Sequence, residues 1–395
     1  MIDISSVESL ARHRQQFPAL ANKTYFNYGG QGPLPQPAWE AIRQAYDYVQ
    51  QEGPFSKQAL SWIFQEVAQT RCAIAQELGV APETITLTEA VSVGCNIALW
   101  GMDWQAGDHL LLSDCEHPGI VAVAQQIRRR YGIEISTCPL MATLNHGDPA
   151  AIVAQHLRPN TRLLVISHVL WNTGQVLPLE SIVAACRHHS RQSRPVAVLV
   201  DAAQSVGVLP LNLSELDVDF YAFTGHKWWC GPDGVGGLYI HPKALEHLQP
   251  TFVGWRGIIT DDSGQPLDWQ PDGRRFEIAT SAFPLCAGLK AAISLHQQWG
   301  SVQERHQRIL QLSQKLWEQL MRIPAVQCLR SAPPEAGLIS FQIENQAHQQ
   351  LVQQLEAQRI MVRLIADPNC VRACVHYFTL ESELDKLVET IHEFC

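Results

Sequence analysis

LVDAAQSVGVLPLNLSELDVDFYAFTGHKWWCGPDGVGGLYI, residues 199–240, holds a single lysine, Lys227, set between Thr224-Gly225-His226 and a run of tryptophan and glycine. Asp201 closes an apolar, β-branched run 26 positions earlier. The stretch carries three strand-length pieces: the end of PVAVLVDAA, then DFYAFTG, then GVGGLYI. They are apolar on both faces, as in a parallel sheet covered on each side by helices. An amine desolvated among such neighbours gives up its proton more easily and becomes a nucleophile. The plainer alternative is a lysine that snorkels from a strand end into water.

Outward from this stretch, strand-length runs alternate with helix-length segments. TITLTEA (84–90), HLLLSD (109–114), EISTCPL (134–140) and TRLLVISHV (161–169) read as further strands. Residues 55–79, 117–132, 148–158 and 179–192 read as helices. The alternation predicts an α/β fold with a mostly parallel sheet flanked by helices, in which ligands bind beyond the carboxyl ends of the strands. The pattern changes near residue 262, where DDSGQPLDWQPDGRR (261–275) is polar and without periodicity. A helical region over 286–322, the strands GLISFQI, IMVRLI and VRACVHYF, and helices near 346–358 and 380–394 predict a smaller α/β domain. The expected division is a large domain over 21–262 and a small C-terminal one over 263–395. Residues 1–20 read as a short amphipathic helix packed on the small domain.

Composition narrows the function classes. With 395 residues, 46% hydrophobic and 17% charged, the chain has the profile of a folded, soluble protein. A net charge of −9 without a basic stripe disfavours nucleic acid. No apolar run is long enough to span a bilayer, and the N-terminus lacks the pattern of a secretory signal. Eleven scattered cysteines without a CxxC argue against a disulfide framework or a metal site and suit the cytoplasm.

The ends of the predicted strands collect groups that suit one ligand. Asp201 at a strand end can hold a pyridinium nitrogen protonated, which makes pyridoxal phosphate (PLP) an electron sink, although it can equally cap the next helix. Lys227 is the Schiff-base candidate. Gln204 fits a donor toward a phenolate oxygen, and Thr224 and His226 flank the lysine closely enough to hold a phosphate. Ala90, Val91 and Ser92 open a helix whose unpaired amides suit an anion. A capping serine explains Ser92 as well. His117 and Asn172 follow two more strands, where a flat ring can stack on a pyridine. The glycines at 231, 234, 236 and 237 miss the dinucleotide spacing and precede a strand rather than a helix.

Together TEAVSVGCN, CEHPGI, WNTGQVLP, DAAQSVG, TGHKWWCGPDGVGGLY, RRFEIATSAF and VRACVHYF resemble aminotransferase class V, a family of fold type I PLP enzymes. Within it the sequence is most similar to the cyanobacterial L-cysteine/cystine C–S lyases and is related to cysteine desulfurases and selenocysteine lyases. The resemblance implies that Lys227 carries the cofactor and moves protons, Asp201 pairs with the ring nitrogen and His117 stacks on the ring. It implies that Gln204 and Asn172 reach the phenolate oxygen. Ser92, Thr224 and His226, with the amides of Ala90 and Val91, would hold the phosphate. Thr280 matches a threonine given to the partner's phosphate, which implies a homodimer with shared active sites. Arg372 matches the clamp on the substrate carboxylate, and a planar fork suits that task. Arg363 is expected to hold a second carboxylate or to form a structural ion pair, and Trp255 to wall the pocket.

The reaction turns on a short interval. Desulfurases attack the substrate sulfur with a cysteine on a mobile loop before the arginine strand. Here only eight residues separate Arg363 from Arg372, and Cys370 stands two residues from Arg372. Such a cysteine lacks reach, which favours β-elimination of a sulfur amino acid to pyruvate, ammonia and a persulfide or sulfide. A sulfur-acceptor protein and iron–sulfur cluster supply fit this chemistry. The alternatives are a desulfurase or selenocysteine lyase giving alanine and an enzyme-bound persulfide, a transaminase, and a non-catalytic PLP-fold scaffold.

Overall fold

The computed structural model describes residues 7–190 and 195–394. The first six residues of the expected N-terminal helix, and the last two of the helix expected over 179–192, lie outside them. The remainder of the N-terminal segment is helical over Val7–Arg14.

The main sheet has seven strands: β1 (Ile85–Thr88), β2 (His109–Ser113), β3 (Glu134–Cys138), β4 (Thr161–Ser167), β5 (Ala197–Asp201), β6 (Phe220–Thr224) and β7 (Gly236–Ile240). Their order across the sheet is β1-β7-β6-β5-β4-β2-β3. β7 runs antiparallel to both neighbours, and the other pairings are parallel. Both faces are covered, which is why the central strands are apolar throughout rather than alternating. One face packs Leu111, Leu164, Ile166, Val198, Val200, Tyr221 and Phe223, and the other Leu110, Leu112, Leu163, Leu199, Phe220 and Ala222.

The second sheet is antiparallel, with β8 (Val326–Cys328), β9 (Leu338–Ile343), β10 (Arg363–Ile365) and β11 (Cys370–Cys374) in the order β8-β9-β11-β10. Helices Val302–Leu320, His348–Ala357 and Glu381–Glu393 cover it. The helical region expected over 286–322 is two helices, Pro284–Trp299 and Val302–Leu320. Gly300 ends the first, and Ser301 with Glu304 forms a capping box that starts the second. The stretch 261–275, read as irregular, holds half of a β-hairpin: Ile258–Thr260 pairs with Pro266–Trp269 around Gly264 at φ 83°. Its strands, of three and four residues, are too short for periodicity to register.

Three contacts tie this part of the molecule to the rest of the chain. Arg305 donates to both oxygens of Glu77 in a buried ion pair. Near the N-terminus, Arg14 pairs with Glu383, and Thr24–Tyr25 lies parallel to Ile360–Met361.

Candidate active site

Ser113, Ser167, Asp201 and Thr224 are the last residues of β2, β4, β5 and β6, so the side chains beyond them converge on one rim of the sheet. Lys227 sits three residues past β6 and is half-buried. Burial pushes its ammonium down to about 8, and Arg372 pushes the same way while Asp201 opposes. Among the described residues its Nζ makes no hydrogen bond. Asp201 is buried, and its Oδ1 accepts the Ala203 amide at 2.9 Å. Burial raises its carboxyl above the ordinary range, against that amide and the charges of Lys227 and His117. Lys227 and Asp201 thus sit at the same end of the sheet, each shifted by burial toward its uncharged form and each held back by the other's charge.

An anion cradle lies beside them. The helix Val91–Gly101 begins at Ala90 without a side-chain cap, and the Val93 and Gly94 amides turn back to the Ala90 carbonyl. Val91 and Ser92 therefore offer amides, and Ser92 a hydroxyl, at a helix N-terminus. Thr224 Oγ1 lies 2.7 Å from His226 Nδ1 on the facing turn. Gly236 brings the two walls together: a Cβ there would lie 2.5 Å from Phe223 O, 3.0 Å from Thr224 Cα and 3.3 Å from Ala90 Cα. Thr280 and Ser92 line the same cavity, of about 420 Å³, within one chain. Trp255 is exposed and does not line it.

The remaining expected residues fall into two sets. Gln204 is buried, its Nε2 donating to Gly29 O at 2.8 Å and its Oε1 accepting from Trp228 Nε1 at 3.0 Å, which leaves one Nε2 hydrogen for a ligand. Asn172 is buried with Oδ1 unpartnered. Arg372, in β11, donates Nη1 to the Trp171 carbonyl at 2.6 Å, and its buried Nε has no partner. Such orphan atoms are costly in a finished core and expected where a ligand completes the site. By contrast His117 is exposed; its Nδ1 accepts the Gly119 amide, and its ring stands 5.9 Å from Trp171. Arg363 is also exposed, directly across the strand pair from Arg372, and makes no ion pair among the described residues.

Cys370 is fully buried at the start of β11, opposite Ile365, and burial pushes its thiol up to about 11. The whole interval between the two arginines is a tight antiparallel hairpin. It has no length to extend toward a substrate.

Three features escaped the sequence reading. The segment Asn27–Gly32 straps across the site: a Cβ on Gly29 would press on the Arg372 guanidinium and on Gln204 at 3.0 Å, and one on Gly32 would lie 2.1 Å from Lys227 O. The glycine-rich NYGGQG was the available signal. Cys374 is buried beside Arg372, whose side chain and the Gly29 amide both reach its sulfur. Glu116, next to His117, is buried under the rim.

The donor set fits a group with a phosphate, an aldehyde and a basic ring nitrogen, which is the makeup of pyridoxal phosphate. The aminotransferase class-V family matches residues 24–385, and the chain belongs to that family. It is similar to the cystine C–S lyase C-DES, solved with its reaction product cysteine persulfide. The two are 55% identical, with a TM-score of 0.94 and coverage of 96% of this chain and 99% of the other. A C-DES mutant with glycine covalently linked to the PLP cofactor is equally close, at 54% identity and a TM-score of 0.94. Isopenicillin N epimerase of Streptomyces clavuligerus is 28% identical over 400 residues, 95% of this chain and 94% of that one. Cysteine desulfurase of Salmonella agona is 30% identical over 324 residues, 78% and 76% of the two chains.

Proposed function

We propose that this chain is a PLP-dependent carbon–sulfur lyase that cleaves L-cystine to pyruvate, ammonia and cysteine persulfide. Bound at the strand ends, PLP withdraws electrons from the substrate's Cα, so that the α-proton can leave and the Cβ–S bond can break. Lys227 would hold the cofactor, and its amine is the group placed to take the α-proton. Asp201 would keep the ring nitrogen protonated, and His117 would stack on the ring. Gln204 and Asn172 donate toward the phenolate oxygen. Ser92, Thr224, His226 and the amides of Ala90 and Val91 hold the phosphate. Arg372 grips the α-carboxylate in a bidentate fork, with Arg363 across the strand pair for the distal carboxylate. Water then completes the stoichiometry, one molecule consumed for each cystine cleaved.

The observation that carries this reading is the closed hairpin between Arg363 and Arg372, with Cys370 buried in it. A desulfurase needs a mobile thiolate there, and a thiol raised by burial inside a strand is neither mobile nor ionised. The similarity to C-DES supports the same choice. Within this reading the chain works as a large domain over 21–262 and a small one over 263–395, with segment 1–20 on the small domain, a placement the Arg14–Glu383 pair supports. We place the enzyme in the cytoplasm as a homodimer in which Thr280 serves the partner's phosphate. Its persulfide is available to a sulfur-acceptor protein. No helix among the described residues is long and apolar enough to cross a membrane.

The test is incubation of the holoenzyme with cystine while pyruvate and alanine are both measured. Pyruvate should form, and should persist in Cys370→Ser. Alanine accumulating without pyruvate would establish the desulfurase reaction instead.

A further inference from the structure

Glu116 has no place in the chemistry above, yet it occupies the ground between two of its participants. It directly precedes His117, and its side chain turns inward where the ring of His117 stays outside. Three donors converge on its carboxylate. Ser113 Oγ reaches Oε1 at 2.5 Å, the Ser167 amide reaches Oε1 at 2.9 Å, and Ser167 Oγ reaches Oε2 at 2.9 Å. Ser113 Oγ also accepts the Cys115 amide at 3.2 Å, which leaves its own hydrogen free for Glu116.

The position of these bonds matters more than their number. Backbone pairing between β2 and β4 runs through Leu112–Val165. Beyond it the Ser167 amide is taken by Glu116 rather than by β2, so the carboxylate continues the join where the ladder stops. Ser167 is in turn the register partner of Asp201 across β4 and β5. One unbroken path therefore runs from His117 through Glu116 and Ser167 to Asp201.

We propose that Glu116 is a positioning residue, a carboxylate staple between the ends of β2 and β4 that fixes His117 and Asp201 relative to each other at the cofactor site. The proposal rests on the PLP reading of the site. Several groups face the staple from its surroundings: Asp201 from β5, Cys138 from β3, Cys95 from the helix Val91–Gly101, and Cys115 from its own loop. Burial raises its acid to about 8, with Asp201 adding to the rise and the Ser113 and Ser167 bonds opposing it. Three incoming donors suit the ionised form. The neutral acid must reverse one hydroxyl bond, so the staple's charge and its geometry change together.

The experiment compares wild type with Glu116→Gln, Glu116→Asp, Ser113→Ala and Ser167→Ala, each reconstituted with PLP. It reads the pH midpoint of the cofactor's visible absorption, the PLP dissociation constant and Tm. Glu116→Gln takes away the carboxylate that Glu116 presents above about pH 8 and forces one of the three incoming bonds to change, so the midpoint should fall by about 0.5 pH unit or more. PLP binding should weaken roughly tenfold, and about threefold in each serine variant. Glu116→Asp should recover part of the midpoint shift. A merely structural glutamate would lower Tm and leave the midpoint in place, and that result overturns the proposal. If Glu116→Gln does not fold, the serine variants decide: a midpoint and affinity equal to wild type in both refute the staple. Failure of wild type itself to show the visible band would refute the PLP reading instead.

Discussion

The turn that carries Lys227 separates two buried polar networks with opposite characters. On one side, Lys227, Asp201, Asn172 and Arg372 are held in states that burial disfavours, with Asn172 Oδ1 and Arg372 Nε left unpaired. On the other side, His13, His296, His376 and Tyr377 form a plug between the N-terminal helix, the helix Pro284–Trp299 and the chain after β11. His376 Nε2 donates to Trp228 O at 2.9 Å, and its Nδ1 accepts the Tyr377 amide at 3.0 Å. His296 Nε2 donates to Trp229 O at 2.8 Å, so its neutral ring accepts the Tyr377 hydroxyl, 2.6 Å away, at Nδ1. Tyr377 in turn accepts from His13 Nε2 at 2.8 Å. Every group in the plug has one consistent role with neutral rings, and burial drives His13 to about 4 and His376 to about 3. A satisfied network stabilises, whereas an unsatisfied one awaits a ligand. The plug also holds the carbonyls of the two residues after Lys227, so the rigid network frames the reactive one.

Three substitutions sharpen that contrast. Lys227→Ala should abolish the visible absorption of the bound cofactor and reduce pyruvate formation by about a thousandfold or more, while Tm of the apoenzyme stays level or rises because a desolvated cation is removed. In wild-type apoenzyme the uncharged amine is the reactive form, so PLP capture should slow about tenfold per pH unit below about 8. A drop in apoenzyme Tm in Lys227→Ala would place the lysine with the structural network.

Arg372→Lys comes next. A point charge replaces a planar fork, and KM for cystine should rise roughly ten- to a hundredfold with a smaller loss in kcat. An unchanged KM would remove Arg372 from the substrate.

His376→Ala acts on the other network. It leaves a cavity and unpairs Trp228 O and the Tyr377 amide, a cost of about 3 kcal/mol seen as a lower Tm, with visible absorption retained. The plug's pH dependence has a definite sign. Its rings have pKa values below those of the unfolded chain, about 6.5, so their contribution is complete above that value and is lost as pH falls from about 6.5 toward 4. The slope of Tm against pH in that window should flatten in His376→Ala. An equal slope would assign acid sensitivity elsewhere.

The sequence legibly carried the strands, because both-face burial writes itself as continuous apolar runs, as in VAVLV and FYAF. It carried Lys227 and Asp201 for a related reason: a charge at the end of such a run has no solvated face, so it stands out. Arg372 and Thr280 came instead from motif resemblance, since neither is unusual by composition. The hairpin at 258–269, the Gly29 and Gly32 strap and the histidine plug were not legible. Each depends on segments far apart in the chain meeting at a few atoms, as when Gly29 wedges against Arg372, and no local periodicity records such a meeting. Glu116 shows the same limit at the shortest range. Its neighbour His117 announced a loop at a strand's end, but only the packed sheet decided that the His117 side chain stays exposed while that of Glu116 turns inward to accept from Ser113 and Ser167.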